Sequence, residues 1–71
     1  MAKDSSGNEY QEIQYPNGDC LRVTLIQNGY YGERSLRVQM HDASGKLFPG
    51  PEIPISYLPG AIAEMVRLAL I

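Results

Sequence analysis

Two arginines are the side chains of this chain best placed to do chemistry. Each stands on the polar parity of an alternating stretch, Leu21-Arg22-Val23-Thr24-Leu25 and Leu36-Arg37-Val38-Gln39-Met40. Side chains of one parity share one face of a strand, so Arg22, Arg37 and Gln39 point away from the apolar set and toward solvent. Outward cations on a sheet neutralise phosphates, and flat rings beside them can stack on bases. Lys46, just after an Asp42-Ala43-Ser44-Gly45 turn, adds a third cation, and Tyr30-Tyr31, after Asn28-Gly29, add the rings. The ordinary reading stands beside this one: strand arginines are commonly solvated face residues, and tyrosines at a hairpin tip can cover the local sheet. Phe48, the only phenylalanine, is read as core.

Other chemistries lack their residues. Cys20 is the only cysteine and His41 the only histidine. Neither has a second ligand nearby in sequence at metal-site spacing, and no basic neighbour in sequence activates the thiol. Cys20 is read as a small core or edge residue. No glycine run ends in the Gly-Lys-Ser/Thr of a phosphate-binding loop. Metal sites, cofactors and catalysis are therefore not expected.

The chain has 71 residues, enough for one domain whose own core is small. Small domains compensate with disulfides, metals or self-association, and the single cysteine and histidine leave self-association. Six cationic residues against eight acidic ones give a net charge of −2, which argues against nonspecific attraction to polyanions. Asp4 and Glu9 lie in or beside a polar N-terminal segment, so the rest of the chain is closer to neutral. No apolar run approaches the ~20 residues that span a bilayer, and no segment has the layout of a secretory signal. A cytoplasmic protein is expected, nucleoid-associated in a bacterium, with no membrane partner.

The elements that must position these side chains follow from periodicity. Residues 1–8 are polar and aperiodic and are expected to be a disordered tail, followed by a single ββββα domain over 9–71. Strands are expected over Glu9–Tyr15, Cys20–Gln27 and Ser35–His41, with Tyr10 on the parity opposite Ile13 and Tyr15. Pro16-Asn17-Gly18-Asp19 is a turn because Asn and Gly tolerate positive φ. A fourth strand starts at Lys46-Leu47-Phe48 and is broken by Pro49-Gly50-Pro51; with Pro54 it must lie at an edge, since prolines cannot donate to a ladder. Pro59 suits the first turn of a helix, with Ser56 as a cap if the helix starts earlier. Ile62, Met65, Val66 and Ala69 then form one stripe expected to pack on the sheet, while Leu68, Leu70 and Ile71 leave apolar surface for a second copy.

Taken in order, Leu21-Arg22-Val23-Thr24-Leu25, Leu36-Arg37-Val38-Gln39-Met40-His41-Asp42, Gly45-Lys46-Leu47-Phe48-Pro49-Gly50 and Ile55-Ser56-Tyr57-Leu58-Pro59 resemble the single-stranded-DNA-binding core of the transcriptional coactivator positive cofactor 4 family. The resemblance covers roughly residues 10 to 70. It implies a curved four-stranded antiparallel sheet followed by a C-terminal helix, a homodimer formed through the helices, and single-stranded DNA or RNA as partner. On that plan Arg37 falls on a basic strand position, and Lys46 and Phe48 on the arm after the turn. Met40 stands where the family commonly has an aromatic. With the acidic balance, this motivates an alternative: a protein-interaction or structural module on the same fold that does not bind nucleic acid.

Overall fold

A computed structural model of the chain describes residues 2–29 and 32–71. The architecture is α+β, a curved open antiparallel sheet followed by one helix. The strands are β1 (Ala2–Lys3), β2 (Glu9–Gln14), β3 (Cys20–Ile26), β4 (Ser35–His41), β5 (Leu47–Phe48) and β6 (Glu52–Pro54). A 3-10 turn, Ile55–Tyr57, then leads into α1 (Leu58–Ala69). Spatial order follows chain order from β1 to β5, and β6 pairs with β4 beyond β5.

The expected fourth strand is thus two short pieces on one edge of β4. Met40 pairs with Phe48 and Leu36 with Ile53, while Pro49-Gly50-Pro51 bridges the gap. The bridge stays attached through the Val38 N–H, which donates to the Pro51 carbonyl at 2.9 Å. Proline supplies the acceptor there and never has to donate.

Residues 2–8 correct the expectation of a disordered tail. Ala2 and Lys3 pair with Tyr10 and Glu9, and a turn over Asp4–Asn8 closes the hairpin. The Asp4 carboxylate makes the turn: it accepts the N–H groups of Ser6 and Asn8 at 2.9 and 2.8 Å. The Asp42–Lys46 turn is built alike, with Asp42 accepting the N–H groups of Ser44 and Lys46 at 3.0 and 2.8 Å. Gly7, Gly18 and Gly45 each occupy the left-handed position that closes a three-residue loop, at φ 84, 93 and 93°. In the Pro16–Asp19 turn Gly18 takes the positive φ, and Asn17 accepts the Asp19 N–H through its side chain at 3.0 Å.

Register places the apolar set on one face. Leu21 pairs with Met40, Val23 with Val38 and Leu25 with Leu36. This face is only half-buried, and Val23, Leu25 and Leu36 line a shallow apolar recess of about 220 Å³. The most buried side chains lie on the opposite, polar parity: Cys20 at 3 %, Thr24 at 2 % and Ser35 at 0 % exposure. They are short residues, and longer neighbours bridge across them through the pairs Arg22–Glu12 and Arg37–Glu52.

The helix departs most from expectation. Its stripe of Ile62, Met65, Val66 and Ala69 does not pack on the sheet; α1 has no buried residue, and its contacts are mainly with the 3-10 turn. Ile62, Met65, Val66 and Leu68 are all at least half exposed. The radius of gyration, 13.2 Å, exceeds the ~11 Å of a compact domain of this length, as a helix standing off the sheet requires. Ser56 does not cap α1. Its N–H and hydroxyl both donate to Glu33, at 3.1 and 2.7 Å, tying the start of the helical segment to the loop that precedes β4. Phe48, read as core, is 40 % exposed. Among the described residues, no helix is long and apolar enough to cross a membrane.

Candidate nucleic-acid interface and an adjoining thiol cluster

Strand pairing brings Arg22, Gln39 and Arg37 onto one face of the sheet. Arg22 lies directly across from Gln39, and Thr24 across from Arg37, so the three predicted side chains occupy adjacent sites on β3 and β4. Two residues along a strand span about 7 Å, so Arg37 and Gln39 lie within reach of neighbouring groups of one extended polymer. Lys46 lies off this face, in the exposed turn after β4, with its Nζ 4.9 Å from the centre of the Phe48 ring, which pairs across from Met40 on the apolar side. Tyr30 and Tyr31, the other two expected contacts, lie outside the described residues.

The structure adds an aromatic that sequence reasoning left aside. Tyr10 pairs across from Thr24 and so belongs to the polar face, and the Arg22 guanidinium lies 4.1 Å above its ring. The signal was present: Tyr10 breaks parity with Ile13, and that break is its assignment to the other side.

The same face also supplies carboxylates. Arg22 reaches Glu12 Oε2 from Nε and Nη2, both at 3.0 Å, and Arg37 Nη2 reaches Glu52 Oε1 at 3.2 Å. The two pairs differ in how firmly they are held. Arg22 is 18 % exposed and pinned between Glu12 and Tyr10, whereas Arg37 is 41 % exposed and, among the described residues, bound by one contact. Exposed ion pairs are worth about 0–1 kcal/mol, so Arg37 exchanges its carboxylate for another anion at little cost. Arg37 and Lys46 are the available cations; Arg22 is mainly a structural one.

Beside Arg22 the sheet assembles a cluster whose members are far apart in sequence. Cys20 pairs across from His41, and Glu12 reaches over from β2. The Cys20 thiol donates to Glu12 Oε2 at 3.2 Å, and its sulfur is 3.8 Å from His41 Nδ1. The sequence expectation that neither residue has a companion ligand is therefore corrected: the companions come from neighbouring strands. Burial, and then the Glu12 carboxylate, push the Cys20 thiol above its ordinary pKa. Glu12 is held below the usual carboxylate range, first by the thiol hydrogen bond and then by Arg22. The sulfur stands between the other two groups, so imidazole and carboxylate do not form a relay that would deliver a thiolate nucleophile.

No family model matches the chain, and neither a curated protein nor a solved structure does so. The resemblance to the positive cofactor 4 family rests on the residues quoted for it.

Proposed function

We propose that the chain binds single-stranded nucleic acid with little sequence preference, as a homodimer joined through α1, in the manner of a transcriptional coactivator or a replication accessory protein. The observation that carries this is the grouping of Arg37, Gln39 and the Arg22–Tyr10 stack on one open face. Cations there meet phosphates and the tyrosine ring offers a surface to a base. A dimer supports the reading because it would cover the apolar surface of α1 while leaving the polar face free. Two available cations per protomer, at ~0.7 each for single strands, give a slope of about −1.4 for log affinity against log salt. Fluorescence anisotropy of labelled oligothymidine across a salt series tests this. Absence of binding at the lowest salt would overturn it.

A second reading is favoured by one observation. Glu12 and Glu52 already occupy both strand arginines, so the face is close to neutral. On this reading the chain is a protein-interaction or structural module, and α1 together with the half-buried apolar face of the sheet is its working surface. Unchanged anisotropy together with a stable complex with another protein would favour it.

A further inference from the structure

The Glu12, Cys20 and His41 cluster has a chemistry that nucleic-acid binding does not use. It gathers one sulfur, one imidazole nitrogen and one carboxylate oxygen, all within 4.8 Å of one another. Around a tetrahedral zinc, with Zn–S near 2.3 Å and Zn–N near 2.05 Å, neighbouring sulfur and nitrogen ligands lie about 3.6 Å apart. The observed separations, 3.8 Å from sulfur to nitrogen and 3.2 Å from sulfur to oxygen, bracket that value. We propose that Glu12, Cys20 and His41 form a site for a zinc-like divalent cation that pins β2, β3 and β4 together.

The donor set selects the ion. Thiolate with imidazole suits zinc and cobalt, whereas magnesium and calcium require mostly oxygen ligands, of which the cluster holds one side chain. On binding, the ion takes the place of the proton now shared between Sγ and Oε2, and that proton leaves to solvent. Cys20 then binds as thiolate, Glu12 as carboxylate and His41 through Nδ1 as neutral imidazole with its proton on Nε2. A water completes the fourth position. Two anionic ligands cancel the charge of the ion, so the neighbouring Arg22 faces a neutral centre. Arg22 already holds Glu12 Oε2 at 3.0 Å, which is how a second group orients a carboxylate ligand. The ligands come from three adjacent strands whose register is fixed by backbone pairing, so little further ordering is needed.

Cobalt titrated anaerobically into the reduced protein, without nucleic acid, tests the site independently of the proposed function. The expected result is a near-ultraviolet thiolate-to-cobalt charge-transfer band that saturates at about one equivalent per chain and is bleached by zinc. Cys20→Ser removes the band. Because Cys20 is buried and its replacement disturbs the packing between strands, Glu12→Gln and His41→Gln, checked by circular dichroism, carry the decision; each weakens cobalt binding by about tenfold or more. Only the spectrum of hydrated cobalt with the unaltered protein, or unaltered affinity in both folded variants, would overturn the site.

Discussion

Replacing Gly50 with alanine should cost this protein a large share of its stability, although Gly50 has no unusual backbone angle. A Cβ at that position would lie 1.9 Å from the Val38 carbonyl oxygen and 3.0 Å from its carbon. That is about 1.5 Å inside an ordinary carbon contact distance, and the obstacle is backbone in the central part of β4, which cannot swing aside. The bridge between β5 and β6 must lift, and the Val38 N–H to Pro51 bond of 2.9 Å goes with it. Losing that bond costs about 1 kcal/mol, and accommodating the extra methyl about 1–3 kcal/mol, for a total of about 2–4 kcal/mol. A chain of 71 residues has roughly 4–11 kcal/mol to lose. Urea unfolding at fixed protein concentration, with a slope of about 1 kcal/mol per molar, should show the midpoint falling by about 2 M or more. Gly60→Ala is the matched control: nothing lies within 4 Å of its Cβ, and a helix gains up to about 1 kcal/mol from the exchange. A Gly50→Ala midpoint within about 0.5 M of the unaltered protein would refute the close approach as the reason for glycine there.

Freeing Arg37 by Glu52→Gln should tighten oligothymidine binding about fivefold, the equivalent of a surface ion pair, while Arg37→Gln should flatten the salt slope by about 0.7. Equal slopes in the two variants would remove Arg37 from the interface. Met65→Lys places a charge in the exposed stripe of α1 and should move the light-scattering mass from twice 7.9 kDa to 7.9 kDa; a dimer that persists would assign association to another surface. Glu33 and Asp4 are held below the ordinary carboxylate range, Glu33 chiefly by the Ser56 hydroxyl and Asp4 chiefly by the Asn8 N–H. Their lowered folded values mean the unfolded chain takes up protons first, so their stabilisation is present above the ordinary carboxylate range and is lost as pH falls through that range to their folded values. The urea midpoint should therefore fall in that window, and less steeply in Glu33→Gln; an identical acid profile would show that the Ser56 contact contributes nothing.

What could be read from the sequence was what is encoded locally. The limits of Ser35–His41 follow from strict alternation, and the Asp42-Ala43-Ser44-Gly45 turn from side chains that bond their own backbone. The same Asp-x-Ser-Gly pattern stands at Asp4-Ser5-Ser6-Gly7 and folds the same way, yet polarity and the nearby terminus masked it. Tyr10 was visible as a parity break and informative only once β2 had a register. The Glu12–Cys20–His41 cluster and the Arg37–Glu52 pair were invisible because cross-strand pairing, which joins residues 8 to 21 positions apart, makes them. Amphipathic spacing in α1 shows that its stripe needs a partner but does not name one. The nearest candidate, its own sheet, was the wrong choice.

The two ends of the strand order differ in how open they are to an added strand. An open sheet offers its outermost backbone groups as a template for any extended chain, and a half-covered apolar face adds adhesion. Here one border is β1, only two residues long, and the other is broken by Pro49, Pro51 and Pro54 into lengths of two and three. The proline-broken border is blunted throughout, whereas β1 covers only Glu9 and Tyr10 of β2; among the described residues, residues 11–14 of β2 pair on one side only, with β3. Strand addition on the proline side is opposed by the backbone itself, and on the other side the open length is the short, mostly polar stretch of residues 11–14.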